Sequence, residues 1–176
     1  MPDREPTEVT NLDTFNYGLA PLEWSRPRAI LIAGPEQPGT PMFLSTVRPD
    51  GRPHSAGIGA VWYDGDLYFT SAPGTAKSKQ LAANPACAIS LGLAGIDVVV
   101  EGTASIVREQ ALGEAVLARF RAGGWPAEFR DGQVTAPFSA PSAGPPPWDL
   151  YRFVFDVAYG VASVEPFGAT RWRFAG

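Results

Sequence analysis

At 176 residues and a net charge of −4, the chain has the length of one domain and no basic excess with which to grip nucleic acid, so no nucleic-acid partner is expected. Its single cysteine, Cys87, excludes an internal disulfide and sits in an apolar run as a buried structural thiol, and one cysteine with one histidine is too poor a ligand set for a zinc site. Eighteen prolines and 19 glycines against 18% charged residues favour short strands and turns, and with neither a leader pattern nor a run of membrane-spanning length the expectation is a soluble, cytoplasmic protein with no membrane partner.

Residues 1–41 read as an N-terminal arm followed by a helix, and residues 42–176 as one barrel domain. The arm, Met1 to Ala20, is polar and orders only if it lies on something, with Phe15, Tyr17 and Leu19 as anchors. Pro21 to Ala33 predicts a helix that Pro27 either breaks or delays, and Gly34 to Pro41 a loop.

Strands follow at Met42–Val47, His54–Tyr63 and Leu67–Thr70, joined by Asp50-Gly51 and Asp64-Gly65, the dipeptides that most strongly signal a hairpin. In the second strand His54, Ala56, Ile58, Ala60 and Trp62 share one face, and Ser55, Gly57, Gly59, Val61 and Tyr63 the other. The Gly57-x-Gly59 pair marks a bulge, a barrel bend, or close approach by a ligand or another backbone.

A helix over Thr75–Asn84 begins where Lys77 and Lys79, the only lysines in the chain, gather among Ser71, Thr75 and Ser78. Free N–H groups, the helix dipole and two compact cations together make an anion site there. Asn84-Pro85 ends the helix, and strands over Ala86–Leu93 and Ile96–Val107 follow, with Glu101 on a solvated or interface face. Glu109–Arg121 is an amphipathic helix ended by Gly123-Gly124. Trp125–Trp148, rich in Pro, Ala, Gly and Ser yet carrying Trp125, Phe129, Phe138 and Trp148, reads as a flap without regular structure, lying over a groove or a partner subunit. Asp149–Val164 and Ala169–Phe174 complete the strands. The fold class is therefore mainly β with a few helices, a split or closed antiparallel barrel.

The hairpin STVRPDGRPH, the strand DGDLYFTS, the helix start AKSKQLAANP, the strand DVVVEGTA and the terminal ATRWRF resemble the pyridoxamine 5′-phosphate oxidase-like, FMN-binding split-barrel superfamily, and within it the flavin/deazaflavin oxidoreductases. The resemblance covers Met42 to Val107 and the C-terminal motif. It implies a homodimer with the cofactor in grooves between subunits. Lys77 and Lys79 would hold the cofactor phosphate, with Thr70, Ser71 and Ser78 as hydroxyl donors. His54, Ser55, Ala56, Gly57 and Ile58, with Val61-Trp62-Tyr63, would form the wall against the ring, and Arg171 and Trp172 would lie beside the groove, in the same or the other subunit.

The implied cofactor is F420, with FMN as the alternative. Both end their polyol in phosphate, and the further oligoglutamate tail of F420 would call on Arg48, Arg52 and Arg171. The implied activity is hydride transfer between that cofactor and a small organic substrate with an activated C=C or C=N bond, with His54 and Tyr63 as candidate proton donors. A pyridoxamine phosphate oxidase activity is not expected, since only Arg171 and Arg173 near the C-terminus could serve a substrate phosphate. The rivals are a non-catalytic flavin or haem carrier on the same barrel and a plain interaction scaffold.

Overall fold

The computed structural model describes residues 4–34 and 40–175, so most of the loop expected over Gly34 to Pro41 lies outside the described residues. These contain eleven strands and three helices: β1 Glu8–Asn11, α1 Ser25–Ala33, β2 Met42–Val47, β3 Pro53–Gly57, β4 Ala60–Tyr63, β5 Asp66–Ser71, α2 Ala76–Ala83, β6 Ala86–Leu93, β7 Ile96–Ile106, α3 Gln110–Ala122, β8 Glu128–Arg130, β9 Gln133–Thr135, β10 Asp149–Ala162 and β11 Ala169–Arg173.

The expected second strand is two strands. β3 pairs with β2, whereas β4 pairs with β5, so the chain changes partner across Gly57-Ile58-Gly59. Antiparallel pairing runs from β4 through β5, β10, β7, β6 and β2 to β3, and the circuit is closed by the covalent chain between β3 and β4 instead of by a ladder. That makes a split barrel. The crossing falls at the glycine pair, which marks a bulge, a bend or a close approach.

β10 is the strand the barrel is wound on. Its first half pairs β5 through Asp149 to Phe153, its second half pairs β11 through Val157 to Val161, and β7 runs along its other edge throughout. A bulge at Asp156 shifts the register between the halves, bending the strand from one part of the barrel to the next. Opposite that bend a Cβ on Gly102 would stand 2.0 Å from the Val154 carbonyl oxygen, so only glycine fits.

The turns obey their local chemistry. Asp64 (φ 49) and Gly65 (φ 88) are both left-handed, as a two-residue hairpin that follows strand twist requires. Asp131 (φ 53) and Gly132 (φ 75) do the same between β8 and β9, so the flap expected to lack regular structure contains a small hairpin on a third Asp-Gly signal. In α1, Pro27 is the third helical residue, where its missing N–H has no intrahelical acceptor to lose, so it delays the helix without breaking it.

Two apolar clusters fill the molecule. One lies inside the barrel and includes Leu44, Phe69, Ile89, Val100, Phe153 and Phe155. The other, with Val116, Leu117, Phe129, Val134, Trp148 and Leu150, packs α3 and the β8–β9 hairpin against the outside of β4 and β5. The N-terminal arm joins the sheet, β1 lying antiparallel on β11 from Glu8↔Arg173 to Asn11↔Thr170. Arg4 ties the arm down from the other side: its guanidinium bonds the Phe155 carbonyl at 2.8 Å and buried Asp66 at 2.7 Å, while Arg152 meets the second oxygen of Asp66 at 2.6 Å.

Trp172, expected beside the groove, is instead fully buried. Alternation along β11 turns it inward, where its ring lies 5.4 Å from that of Trp24 and a Cβ on Gly160 would meet it at 2.6 Å. Its indole N–H donates to the Leu22 carbonyl at 3.2 Å. Trp172→Ala should cost roughly 3–5 kcal/mol of stability in urea unfolding, as loss of a buried aromatic does. Cofactor affinity of the folded fraction should be unchanged.

Candidate functional site

The break between β3 and β4 opens a cleft of about 300 Å³ lined by Gly57, Ile58, Gly59, Thr70, Lys77, Phe120, Trp125, Phe138, Ser139, Ala140, Ser142 and Ala143. Four parts of the chain meet there: the glycine crossing, the end of β5 with the start of α2, the end of α3, and the segment between β9 and β10.

A Cβ added to Gly57 or Gly59 meets nothing within 4 Å, and neither glycine has positive φ. Nothing in the protein's own packing or backbone conformation requires glycine at either place. What the missing side chains provide is bare backbone facing the cleft, a cradle that two methyl groups would begin to fill.

The start of α2 differs from the sequence expectation in an instructive way. Thr75 caps the helix, its hydroxyl accepting from the Ser78 N–H at 3.3 Å, and Ser71 lies 2.7 Å from Thr75 and 2.8 Å from Ser78, hydroxyl to hydroxyl. The Tyr151 hydroxyl also hydrogen-bonds Ser78. Ser71 and Ser78 are buried and bonded to one another, and neither lines the cleft. Of the hydroxyls expected to serve a ligand, Thr70 is the one that does line it.

The two lysines also part company. At 100° per residue, positions two apart on a helix point to different sides. Lys77 lines the cleft half-buried, and its burial lowers its pKa from the ordinary lysine value, while Lys79 is exposed and outside the cleft. No carboxylate of the described residues pairs with Lys77, which leaves a partly desolvated ammonium aimed at the opening.

The remaining expected site residues are not brought together. His54, half-buried on β3 with its Nδ1 buried and unbonded, and Tyr63, packed edge-on against Tyr68 at 6.2 Å, both lie outside the lining, so neither stands where a proton donor would. Ser55 is exposed and bonds Ser45 at 2.7 Å, and Ala56 is half-buried beside Leu44. Arg48 is exposed in the β2–β3 turn and Arg52 is bonded to Asp50 at 2.7 Å. Arg171 bonds Glu8 at 3.2 Å and Thr10 at 3.1 Å. It shares one rung with Gly57, through Phe43, Ser90, Val99 and Tyr159, but stands five strands away, roughly 24 Å along the sheet.

Phe120, Ser139, Ala140, Ser142 and Ala143 were not in the expected site. The signal for the last four was the length and aromatic content of the flap, and two of its aromatics do line the cleft: Trp125, whose indole N–H donates to the Phe138 carbonyl at 2.6 Å, and Phe138. The other two, Phe129 and Trp148, are core.

A cleft of this kind fits a phosphate-bearing ring cofactor, with Lys77 for the phosphate and the glycine backbone for the ring. Solved structures of low sequence identity share the fold. An FMN-binding, pyridoxamine 5′-phosphate oxidase-related protein from Nostoc punctiforme is 20% identical, with a TM-score of 0.55 over 86% of this chain and 89% of that one. An F420 reductase is 21% identical, with a TM-score of 0.51 over 79% of this chain and 98% of that one. A haem-binding protein from Mycobacterium smegmatis is 12% identical, with a TM-score of 0.56 over 80% of this chain and 56% of that one. No curated protein matches the chain. Residues 37–146 match the pyridoxamine 5′-phosphate oxidase family, and with more than half its length so matched the chain belongs to that family.

Proposed function

We propose that the protein is an oxidoreductase that binds a flavin-type cofactor in this cleft and passes a hydride between it and a small organic substrate with an activated C=C or C=N bond. The observation that carries the reading is the half-buried, unpaired Lys77 beside the bare Gly57 and Gly59 backbone. When bound, the cofactor supplies the hydride chemistry. The chain holds the phosphate through Lys77, takes the ring against Gly57–Gly59, and shields it from water with Trp125, Phe138 and the segment that follows.

Of the two cofactors, FMN is the better supported. The oligoglutamate tail of F420 would call on Arg48, Arg52 and Arg171, and two of these are engaged, Arg52 with Asp50 and Arg171 with Glu8.

The working unit in this reading is a homodimer with the cofactor between subunits. A single copy offers about 300 Å³, the low end for a small-molecule site. The outer face of β2, β6 and β7 carries Phe43, Ser45, Ala88, Ser90 and Val99 with two carboxylates, Asp97 and Glu101, and Phe43 is 49% exposed. Such a face suits a second copy. Since Phe43 pairs with Gly57, a partner laid on it would border the cleft. A non-catalytic carrier is the second reading, favoured by the haem-binding neighbour. Against it, the one histidine of the chain is not in the cleft lining, so an axial imidazole would be lacking there.

Fluorescence titration with FMN and with F420 tests the proposal. Lys77→Ala should weaken binding about 10- to 100-fold, the worth of a hydrogen bond to a charged group, whereas exposed Lys79→Ala should cost less than about threefold. Equal effects, or no binding to wild type, would refute the assignment. Gly57→Ala should leave the unfolding midpoint nearly unchanged while lowering cofactor affinity about threefold or more, because a Cβ there meets no protein atom within 4 Å and begins to fill the cradle. Phe43→Asp should shift the protein towards monomer in sedimentation and weaken cofactor binding with it.

A further inference from the structure

Of the three side chains expected to anchor the N-terminal arm, only Leu19 turns towards the chain, half-buried, while Phe15 and Tyr17 stand 81% and 75% exposed. Their rings stack on each other at 5.9 Å. The loop that carries them is built to hold that pose. Both carboxylate oxygens of Asp13 accept backbone bonds at 3.0 Å, from the Tyr17 and Leu19 N–H groups, and the Asn11 amide donates to the Leu19 carbonyl at 2.8 Å. Asn16 (φ 57) and Gly18 (φ 78) supply left-handed corners. A loop already fixed loses little freedom on association, and two aromatic rings at its tip offer large apolar area to another surface.

This tongue stands at one corner of the outer sheet face. A groove of about 260 Å³ runs between Phe15 and Tyr17 on one side and Val161, Phe167 and Ala169 on the other. Val161 lies two residues beyond Tyr159 on β10, so it points out of the same face as Tyr159, Val99, Ser90 and Phe43. The tongue is therefore a wall raised at the β11 edge of the face proposed above to meet a second copy. That face needs more surface than the sheet supplies. From β3 to β11 over five residues of strand it measures roughly 24 Å by 16 Å, about 400 Å² in plan, whereas a stable pair buries about 800 Å² on each partner. Phe15, Tyr17, Val161 and Phe167, all exposed, adjoin the sheet and extend it. A membrane is a poor occupant, because Asp97, opposite Val161, and Glu165, close to Phe167, are exposed carboxylates on a chain of net charge −4.

The height of the wall decides what it meets. In an isologous pair each contact occurs twice. Tongue against tongue would set two walls tip to tip and hold the sheets apart along the rest of the face. Each tongue must instead lie over the far edge of the other copy, where β3 ends the face with exposed Ser55 and Gly57. We propose that the Phe15–Tyr17 tongue is the clasp of a dimer of this chain, each copy laying its two rings over the β3 edge of the other. Because Gly57 lines the cleft, the rings then border the second copy's site, which one copy alone leaves incomplete. This rests on the dimer reading for the facing of the two sheets, and on the geometry of the tongue for the rest.

Sedimentation velocity over a concentration series, combined with crosslinking, tests the clasp. The double variant Phe15→Ser/Tyr17→Ser should raise the dimer dissociation constant at least about tenfold and leave the urea midpoint of the monomer unchanged, since both rings are mostly exposed. To locate the contact, Tyr17→Cys and Ser55→Cys proteins are mixed, their exchange is confirmed by native mass spectrometry, and a short bismaleimide is added at neutral pH. Buried Cys87, its thiol pushed up to about 12, is a poor nucleophile under those conditions. The mixture should give a covalent dimer and Tyr17→Cys protein alone should not. With wild type dimeric, three results overturn the inference alone: a serine double variant that dimerises as wild type does, an exchanged mixture that does not crosslink, or Tyr17→Cys protein that crosslinks to itself as well as the mixture does. A wild-type protein monomeric at every concentration refutes the dimer reading and the inference with it.

Discussion

The barrel is closed by three residues of backbone, Gly57-Ile58-Gly59, in place of a seam of hydrogen bonds. β3 is committed to β2 and β4 to β5, so the sheet must part where the chain crosses between them. On the crossing the Ile58 N–H still reaches back to the Met42 carbonyl at 3.0 Å. The crossing faces an open cleft. One constraint therefore produces both the split in the barrel and a site floor of two glycines flanking Ile58.

The start of α2 shows how a cation is left for a ligand. Four hydroxyls, from Ser71, Thr75, Ser78 and Tyr151, satisfy one another and one helical N–H, which stiffens the corner where β5 turns into the helix. Lys77 then projects from a fixed helix turn with no local acceptor to fold back on. Burial lowers its pKa, and an anion brought alongside would offset that desolvation. The other nucleophile-bearing side chain, Cys87, is buried in the core with its thiol pushed up to about 12, which makes it inert at neutral pH.

Away from the site the arginines act as ties. Arg4 and Arg152 share buried Asp66 across the arm, β5 and β10, and Arg26 bonds the carbonyls of Gly95, Val164 and Pro166. The arm that looked unattached is thereby both a sheet strand and one end of a buried ion cluster. Of the three arginines that an oligoglutamate tail would call on, Arg52 and Arg171 are likewise bonded within the chain, to Asp50 and Glu8.

Local chemistry was legible without the fold. Asp-Gly turns set their hairpins because their left-handed geometry is a property of two residues, and the glycine pair stands where the chain changes partner between β3 and β4. The cluster of Ser71, Thr75 and Ser78 with the two lysines marked the start of α2. What the tertiary structure decided was partnership. β11 alternates whichever way it faces, and only packing against Trp24 and Gly160 turned Trp172 inward and Arg171 towards β1. Helical rotation separated Lys77 from Lys79, but only the position of the β3–β4 crossing determined that Lys77 should be the one in the cleft. The flap's aromatics were divided in the same way, Phe129 and Trp148 to the core and Trp125 and Phe138 to the cleft, because burial depends on what lies opposite a side chain, and that lies far away in the chain.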